Sequence, residues 1–158
     1  SHASLDLQDA QVAERQAKSA EITLKHYNCP INIQTEYSNT LSTGSGITLW
    51  AIFSKKKDEI DINNPIRLGA DALGERGKKA EIVGREAAQA LAAEIESKAP
   101  VDKHLADQLL PIMSLISNSG IKTSRITNHT KTNIYTIEKF LGKSFSIDEN
   151  NNSISTIN

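Results

Sequence analysis

The sequence predicts an α+β fold in two parts. A small two-layer unit of three to four strands and two helices comes first, followed by a segment of order α-β-α-β-β. Three observations predict this. Two stretches, one after Asp9 and one after Lys79, carry apolar residues at steps of three and four. Between them lie β-branched and aromatic runs separated by turn residues. Near Val101 the chain changes character and a new, strongly apolar helical pattern begins.

The elements follow in order. "SHASL" reads as a short strand at the start of the chain. Ala10, Val12, Ala13, Ala17, Ala20, Leu24 and Tyr27 define an amphipathic helix with Asp9 as its N-cap. Glu14, Arg15, Lys18 and Lys25 take its wet face, and Asn28-Cys29-Pro30 ends it. "INIQTEY" alternates Ile31, Ile33, Thr35 and Tyr37, the period of a half-buried strand. "LSTGSG" is a loop. "ITLWAIF" is apolar enough for a strand covered on both faces. "SKKKDEIDINNP" is a charged connection whose lysines form a solvated tip, and "IRLGADAL" is a further strand. After "GERGKK", Ala80, Val83, Ala87, Leu91 and Ile95 form the stripe of a second helix, closed by Ala99-Pro100. The order is β-α-β-β-β-α, which suits a sheet with two helices on one side.

In the second part "DKHLADQLLPIMSLIS" is a helix. Leu105, Leu109, Ile112 and Ile116 share one face, and His104, Asp107, Gln108 and Pro111 share another. Pro111 lacks a backbone N–H and predicts a kink. "GIKTSRIT" reads as a strand, and "TNIYTIEKFLG" as a helix with Ile134, Ile137 and Leu141 inward. "SFSIDENNNSISTI" is a hairpin turning at "DENNN".

Composition narrows the function. A formal net charge of −1 excludes a global polycation as the basis for nucleic-acid binding, and 4% aromatic residues argue against a general stacking surface. A single cysteine, Cys29, permits no intrachain disulfide and no cysteine-rich zinc site, and predicts a buried thiol. No apolar run reaches membrane-spanning length, and no signal peptide opens the chain. The sequons at Asn128 and Asn151 carry little weight without one. These observations predict a cytoplasmic protein with no membrane partner. The lone methionine is Met113, so Ser1 is not an unprocessed start and the chain reads as a piece of something longer.

Four histidines are present, and none has a partner at close metal-ligand spacing. His2 lies near a terminus, and His26 ends a helix, where a cation suits the dipole. "GSG" at 44–46 precedes a strand and lacks the geometry of a phosphate loop. His129 differs. It falls in a polar link between a predicted strand and a helix that Thr130, Lys131 and Thr132 begin. Unpaired N–H groups at a helix start suit bound phosphate, and Lys122, Arg125 and Lys131 add positive charge. From spacing alone, His129 is a surface or capping residue, a phosphate contact or a nucleophile.

Five stretches, in order and spacing, resemble the RNA 3′-terminal phosphate cyclase family: "VAERQAKSAE" (12–21), "GSGITLWA" (44–51), "LGERGKKAEIVGREAA" (73–88), "HLADQLLPIMSL" (104–115) and "NHTKTNIYTIEKFLG" (128–142). The resemblance covers nearly the whole chain. It implies a catalytic core of repeated βαβαββ units interrupted by a small insert domain. On that pattern residues 6–98 are the insert, and residues 99–158 are the C-terminal αβαββ segment of the core.

The resemblance also implies chemistry. An RNA 3′-phosphate is activated with ATP: a histidine takes AMP, AMP passes to the RNA, and the 2′-hydroxyl closes a 2′,3′-cyclic phosphate. The family nucleophile matches His129. The nucleotide-binding segment matches His104, Leu105, Ala106, Asp107 and Gln108, with a histidine at 104 where many relatives carry a tyrosine. "LGERG" is expected to approach the same cleft. No metal ligand is assigned on this chain; a divalent ion, magnesium or manganese, is expected mainly on the upstream portion of the same protein. The partners implied are RNA with a 3′-phosphate end and that upstream portion. The competing readings are a non-catalytic cyclase-like ribosome-assembly protein and a plain RNA-binding module. His129 argues against the former, which would tolerate its loss.

Overall fold

The computed structural model describes residues 1–54, 66–142 and 144–157. The chain divides into two compact units, Ser1–Glu96 and Ser97–Asn158.

The first unit carries β1 (His2–Ser4), α1 (Val12–Leu24), β2 (Glu36–Ser38), β3 (Ser45–Phe53), β4 (Ile66–Leu73) and α2 (Ala80–Ser97). Its sheet has the order β2-β1-β3-β4. β1 therefore lies inside the sheet, parallel to β2 and antiparallel to β3. β3 and β4 pair along their whole length, from Gly46↔Leu73 to Phe53↔Ile66. Both helices bury their small and aliphatic residues on one face of this sheet. Ala20 and Leu24 of α1 and Val83, Ala87, Ala88 and Leu91 of α2 meet Ile47, Leu49, Leu68 and Ala70.

Several local expectations give way. α1 starts at Val12, capped not by Asp9 but by Gln11 in the left-handed region (φ 50°), after a short 3₁₀ turn at Leu5–Leu7. β2 is only three residues long. Ile31 and Ile33 lie before it and still pack against the core, so their alternation marks burial rather than a paired strand. β3 is covered on one face only: Ile47 and Leu49 are buried, whereas Trp50 is 66% exposed and Ile52 55%. Cys29 is exposed, in the loop that follows left-handed Asn28. The charged connection expected at 54–65 lies, apart from Ser54, outside the described residues.

Two of the interactions that hold α1 against α2 yield predictions. Arg15 donates from Nε and Nη2 to the two carboxylate oxygens of Glu81, at 2.7 and 2.9 Å. This holds the Glu81 carboxyl down at about 2, chiefly through the Arg15 hydrogen bond. With the folded value depressed, the contribution is present above the ordinary carboxyl value of 4.5 and lost as pH falls through about 2. In an Arg15→Ala protein, the Glu81 midpoint followed by NMR should move from about 2 back toward 4.5.

The second interaction is a close approach. A Cβ added to Gly84 would stand 2.0 Å from the backbone oxygen of Gln16. Alanine would improve helix propensity by about 1 kcal/mol. Forcing two backbones apart costs about 1–3 kcal/mol or more, so sterics win. Gly84→Ala should lower the thermal unfolding midpoint, and an unchanged or raised midpoint would show that the helices can separate freely.

The second unit carries α3 (Lys103–Met113), β5 (Gly120–Lys122), α4 (Asn128–Leu141), β6 (Ser144–Asp148) and β7 (Ser153–Ile157). Its antiparallel sheet has the order β5-β7-β6. Leu110 and Met113 of α3, Ile134 and Ile137 of α4, Phe145 and Ile154 form its core. The β6–β7 turn is held by the Asp148 carboxylate, which accepts from the backbone N–H groups of Asn150 and Asn151 and from the Asn151 amide.

Here too the pattern shifts. α3 buries Ala106, Leu110 and Met113, while Leu105 and Ile112 are exposed and Leu109 is half-buried; the helix ends at Met113, so Ile116, also exposed, lies beyond it. Lys103, His104, Asp107 and Gln108 mark a polar side, but the apolar arc opposite is wide, and the core takes the edge of Ala106, Leu110 and Met113 rather than that of Leu105, Leu109 and Ile112. On α4, Ile134 and Ile137 are buried as expected, but Leu141 is 52% exposed. β5 stops at Lys122, with one further parallel bridge between Val101 and Thr123.

Candidate functional site

His129 is not in a link. It is the second residue of α4 and is exposed. Thr127 caps the helix: its hydroxyl accepts from the Thr130 N–H at 3.1 Å, and the Thr130 hydroxyl accepts from the Thr127 N–H at 3.3 Å. This capping box satisfies one first-turn amide and anchors the turn through Thr130, which is fully buried. The amides of Asn128 and His129 lie at the end where a helix offers no internal acceptor, so an anion beside His129 meets the positive end of the dipole. The sequence signal for this turn is the T-x-x-T spacing of Thr127 and Thr130 just ahead of the apolar run.

The charge around His129 is smaller than its neighbours imply. Lys131 Nζ pairs with Glu149 of the β6–β7 turn at 2.6 Å, which offsets its charge. Arg125 and Lys122 are not buried beneath it: Lys122 is exposed and Arg125 is exposed.

α3 supplies the other candidate residues. Asp102 caps it, its Oδ1 accepting from the N–H groups of His104 and Leu105, each at 2.8 Å. His104 and Gln108 are exposed, Leu105 is 42% exposed and Asp107 is half-buried. Ala106 is fully buried, backbone and methyl group alike, so it packs beneath this segment and presents no surface to a ligand. The two helices pack together, and the Asn133 side-chain amide donates to the backbone carbonyl of Asp107 at 3.4 Å. Asn133 lies one turn beyond His129 on α4. The second unit thus brings the His129 turn and the His104–Gln108 segment onto adjacent helices.

The remaining histidines stand apart from each other in the first unit. His2 Nε2 bonds to Ser38 Oγ at 2.7 Å, and His26 Nδ1 to the Thr23 carbonyl at 2.9 Å. Among the described residues no three His, Cys, Asp or Glu side chains come close enough to hold a metal ion. No helix among them is long and apolar enough to cross a membrane. A wide cleft of about 1250 Å³ lies in the first unit, between Ile31–Gln34 and Thr48–Phe53. None of the candidate site residues lines it.

A family model described as "RNA 3′-terminal phosphate cyclase (RTC), insert domain" matches residues 3–96. The chain is similar to proteins named RNA 3′-terminal phosphate cyclase from Pyrococcus abyssi, 49% identical over 139 residues, and from Thermococcus gammatolerans, 46% identical over 140 residues. The relative from Methanosarcina acetivorans is 42% identical over 140 residues. These matches cover 88–89% of this chain but only 36–38% of the relatives' own length.

Proposed function

Because the chain belongs to the RNA 3′-terminal phosphate cyclase family, we propose that it is the insert domain (residues 6–98) and the C-terminal core segment (99–158) of an ATP-dependent cyclase that converts an RNA 3′-phosphate to a 2′,3′-cyclic phosphate. The observation that carries this reading is His129 itself, an exposed imidazole in the first turn of a capped helix.

An imidazole nitrogen of His129 attacks the α-phosphorus of ATP; a P–N bond forms, the α–β phosphoanhydride breaks, and pyrophosphate leaves. A neutral imidazole carries a free lone pair on one ring nitrogen and attacks without a separate base to deprotonate it. An RNA 3′-phosphate oxygen then displaces the imidazole from phosphorus. Last, the neighbouring 2′-hydroxyl attacks the 3′-phosphorus, loses its proton and expels AMP. Covalent catalysis of this kind divides one difficult condensation into easier exchanges. The first-turn amides of α4 would take negative charge on the α-phosphate as it builds.

His104, Leu105, Asp107 and Gln108 would form the nucleotide-facing edge, with buried Ala106 packed beneath them: an imidazole to stack, a carboxylate to accept and an amide that both accepts and donates. The divalent ion, magnesium or manganese, would be held mainly by the upstream portion of the protein. The 158-residue chain alone is expected to cyclise no RNA, since it spans little more than a third of its relatives. Incubating the parent protein with ATP and magnesium and mapping the modified peptide by mass spectrometry tests the reading. AMP should appear on the peptide containing His129; AMP on another residue, or none, would overturn it.

A further inference from the structure

We propose that Pro111 and Asn133 form a matched latch that positions His129 against α3, the proline withholding the helical donor from the Asp107 carbonyl and the asparagine supplying one from the nucleophile's helix. The latch deepens the reading above and its positioning role rests on it.

In an α-helix the N–H of residue 111 would close the turn on the carbonyl of residue 107. Residue 111 is proline, inside α3, and has no N–H. Its ring also crowds the carbonyl four residues earlier and tilts it away from the axis. Pro111 therefore leaves one particular carbonyl without that donor, and that carbonyl belongs to Asp107. The Asn133 Nδ2 donates to it, at 3.4 Å. Three of these features have no reason to coincide by packing alone: a proline in a helix interior, an amide on the facing helix, and a meeting point at the carbonyl that the proline leaves open.

The bond does what the surrounding contacts cannot. Leu110 and Met113 meet Ile134 and Ile137 through apolar surface, which is non-directional and tolerates sliding. A hydrogen bond to a single carbonyl is directional and fixes the register of α4 along α3. Asn133 is four residues beyond His129, on the same face of α4. Fixing it therefore fixes the His129 turn relative to the residue proposed to read the base. Asn133 touches no reacting atom in this scheme, so it is a positioning residue. In this arrangement Pro111 serves by the donor it lacks.

A double-mutant cycle in the parent enzyme tests both parts. Pro111→Ala gives the Asp107 carbonyl an N–H of its own, so Asn133→Ala should lower the unfolding midpoint in the wild-type background and much less in the Pro111→Ala background. Equal losses in both backgrounds would overturn the latch. Should Asn133→Ala fail to fold, the double variant is expected to fold; its failure as well would overturn it. For positioning, folded Asn133→Ala should transfer AMP to His129 roughly 10- to 100-fold more slowly at saturating ATP, with little change in the KM for ATP. A wild-type rate there would overturn the positioning role while leaving the histidine assignment intact. If the wild-type parent acquires no AMP on His129, the functional reading and the positioning role fail together, and the unfolding cycle still decides the latch.

Discussion

The parent enzyme carrying His129→Asn should fold as the wild type does and take up no covalent AMP. The side chain is exposed, and the turn beneath it is held by Thr127 and the buried Thr130, not by the imidazole. A surface replacement of this sort changes stability by about 0.5 kcal/mol or less. The chemistry is another matter. An asparagine amide nitrogen has its lone pair delocalised into the carbonyl and is no nucleophile, so the loss should be complete rather than graded. Unfolding curves and radiolabelled AMP transfer, measured side by side, separate the two quantities. Covalent AMP on the His129→Asn protein would remove the histidine from its proposed role; loss of AMP together with loss of fold would assign the residue to structure instead.

The second large effect is expected at Asp107. Its carboxylate accepts hydrogen bonds only, and adenine presents an exocyclic amine where guanine presents a carbonyl. An Asp107→Ala enzyme should therefore lose a charge-assisted bond to ATP and also lose its discrimination against GTP. Such a bond is worth about 1.5–3 kcal/mol, or roughly 10- to 150-fold in rate at limiting ATP. The substitution leaves the backbone carbonyl that accepts from Asn133 in place, so the helix pair should be undisturbed. His104→Ala should have a milder effect, through lost stacking. Adenylylation rates with ATP and with GTP decide it: if both stay at wild-type values, this side of α3 is solvated surface.

Much of the architecture is legible because periodicity and turn chemistry agree. The β-α-β-β-β-α order of the first unit and the α-β-α-β-β order of the second both follow from the spacing of apolar residues. The failures have separate physical causes. At α1 the sequence offers a good capping residue, Asp9, but a 3₁₀ turn intervenes and left-handed Gln11 opens the helix. In β3 a run of apolar residues predicts burial on both faces, whereas Trp50 and Ile52 stand on an open face. In α3 the polar side chains of Lys103, His104, Asp107 and Gln108 mark the outer side, but apolar residues spread from Ile112 to Leu110 over about half the helix; the fit of Ala106 and Leu110 against the second unit's core chooses between its two edges. At the candidate site, His129 is recognisable by its proximity to a helix start. Its place within the first turn is not, because a threonine pair capping itself is a weaker signal than a serine or threonine followed by glutamate. The Asn133 bond to Asp107 joins residues 26 apart, and no local pattern could have paired them.

The placement of β1 inside the first sheet has a consequence for the order of events when the chain is made. His2–Ser4 leave the ribosome before either neighbouring strand, and their antiparallel partner, Gly46 opposite His2, follows 44 residues later. At about 5–20 residues per second, this strand waits roughly 2–9 s for that neighbour to be synthesised. The β3–β4 pair, by contrast, needs only the connection between them. Closing the longer loops around β1 is the slower entropic step, so β1 should dock after the β3–β4 pair has formed. Substitutions in His2–Ser4 should then speed unfolding more than they slow refolding, because a strand that docks late contributes little to the barrier on the way in and much to the one on the way out.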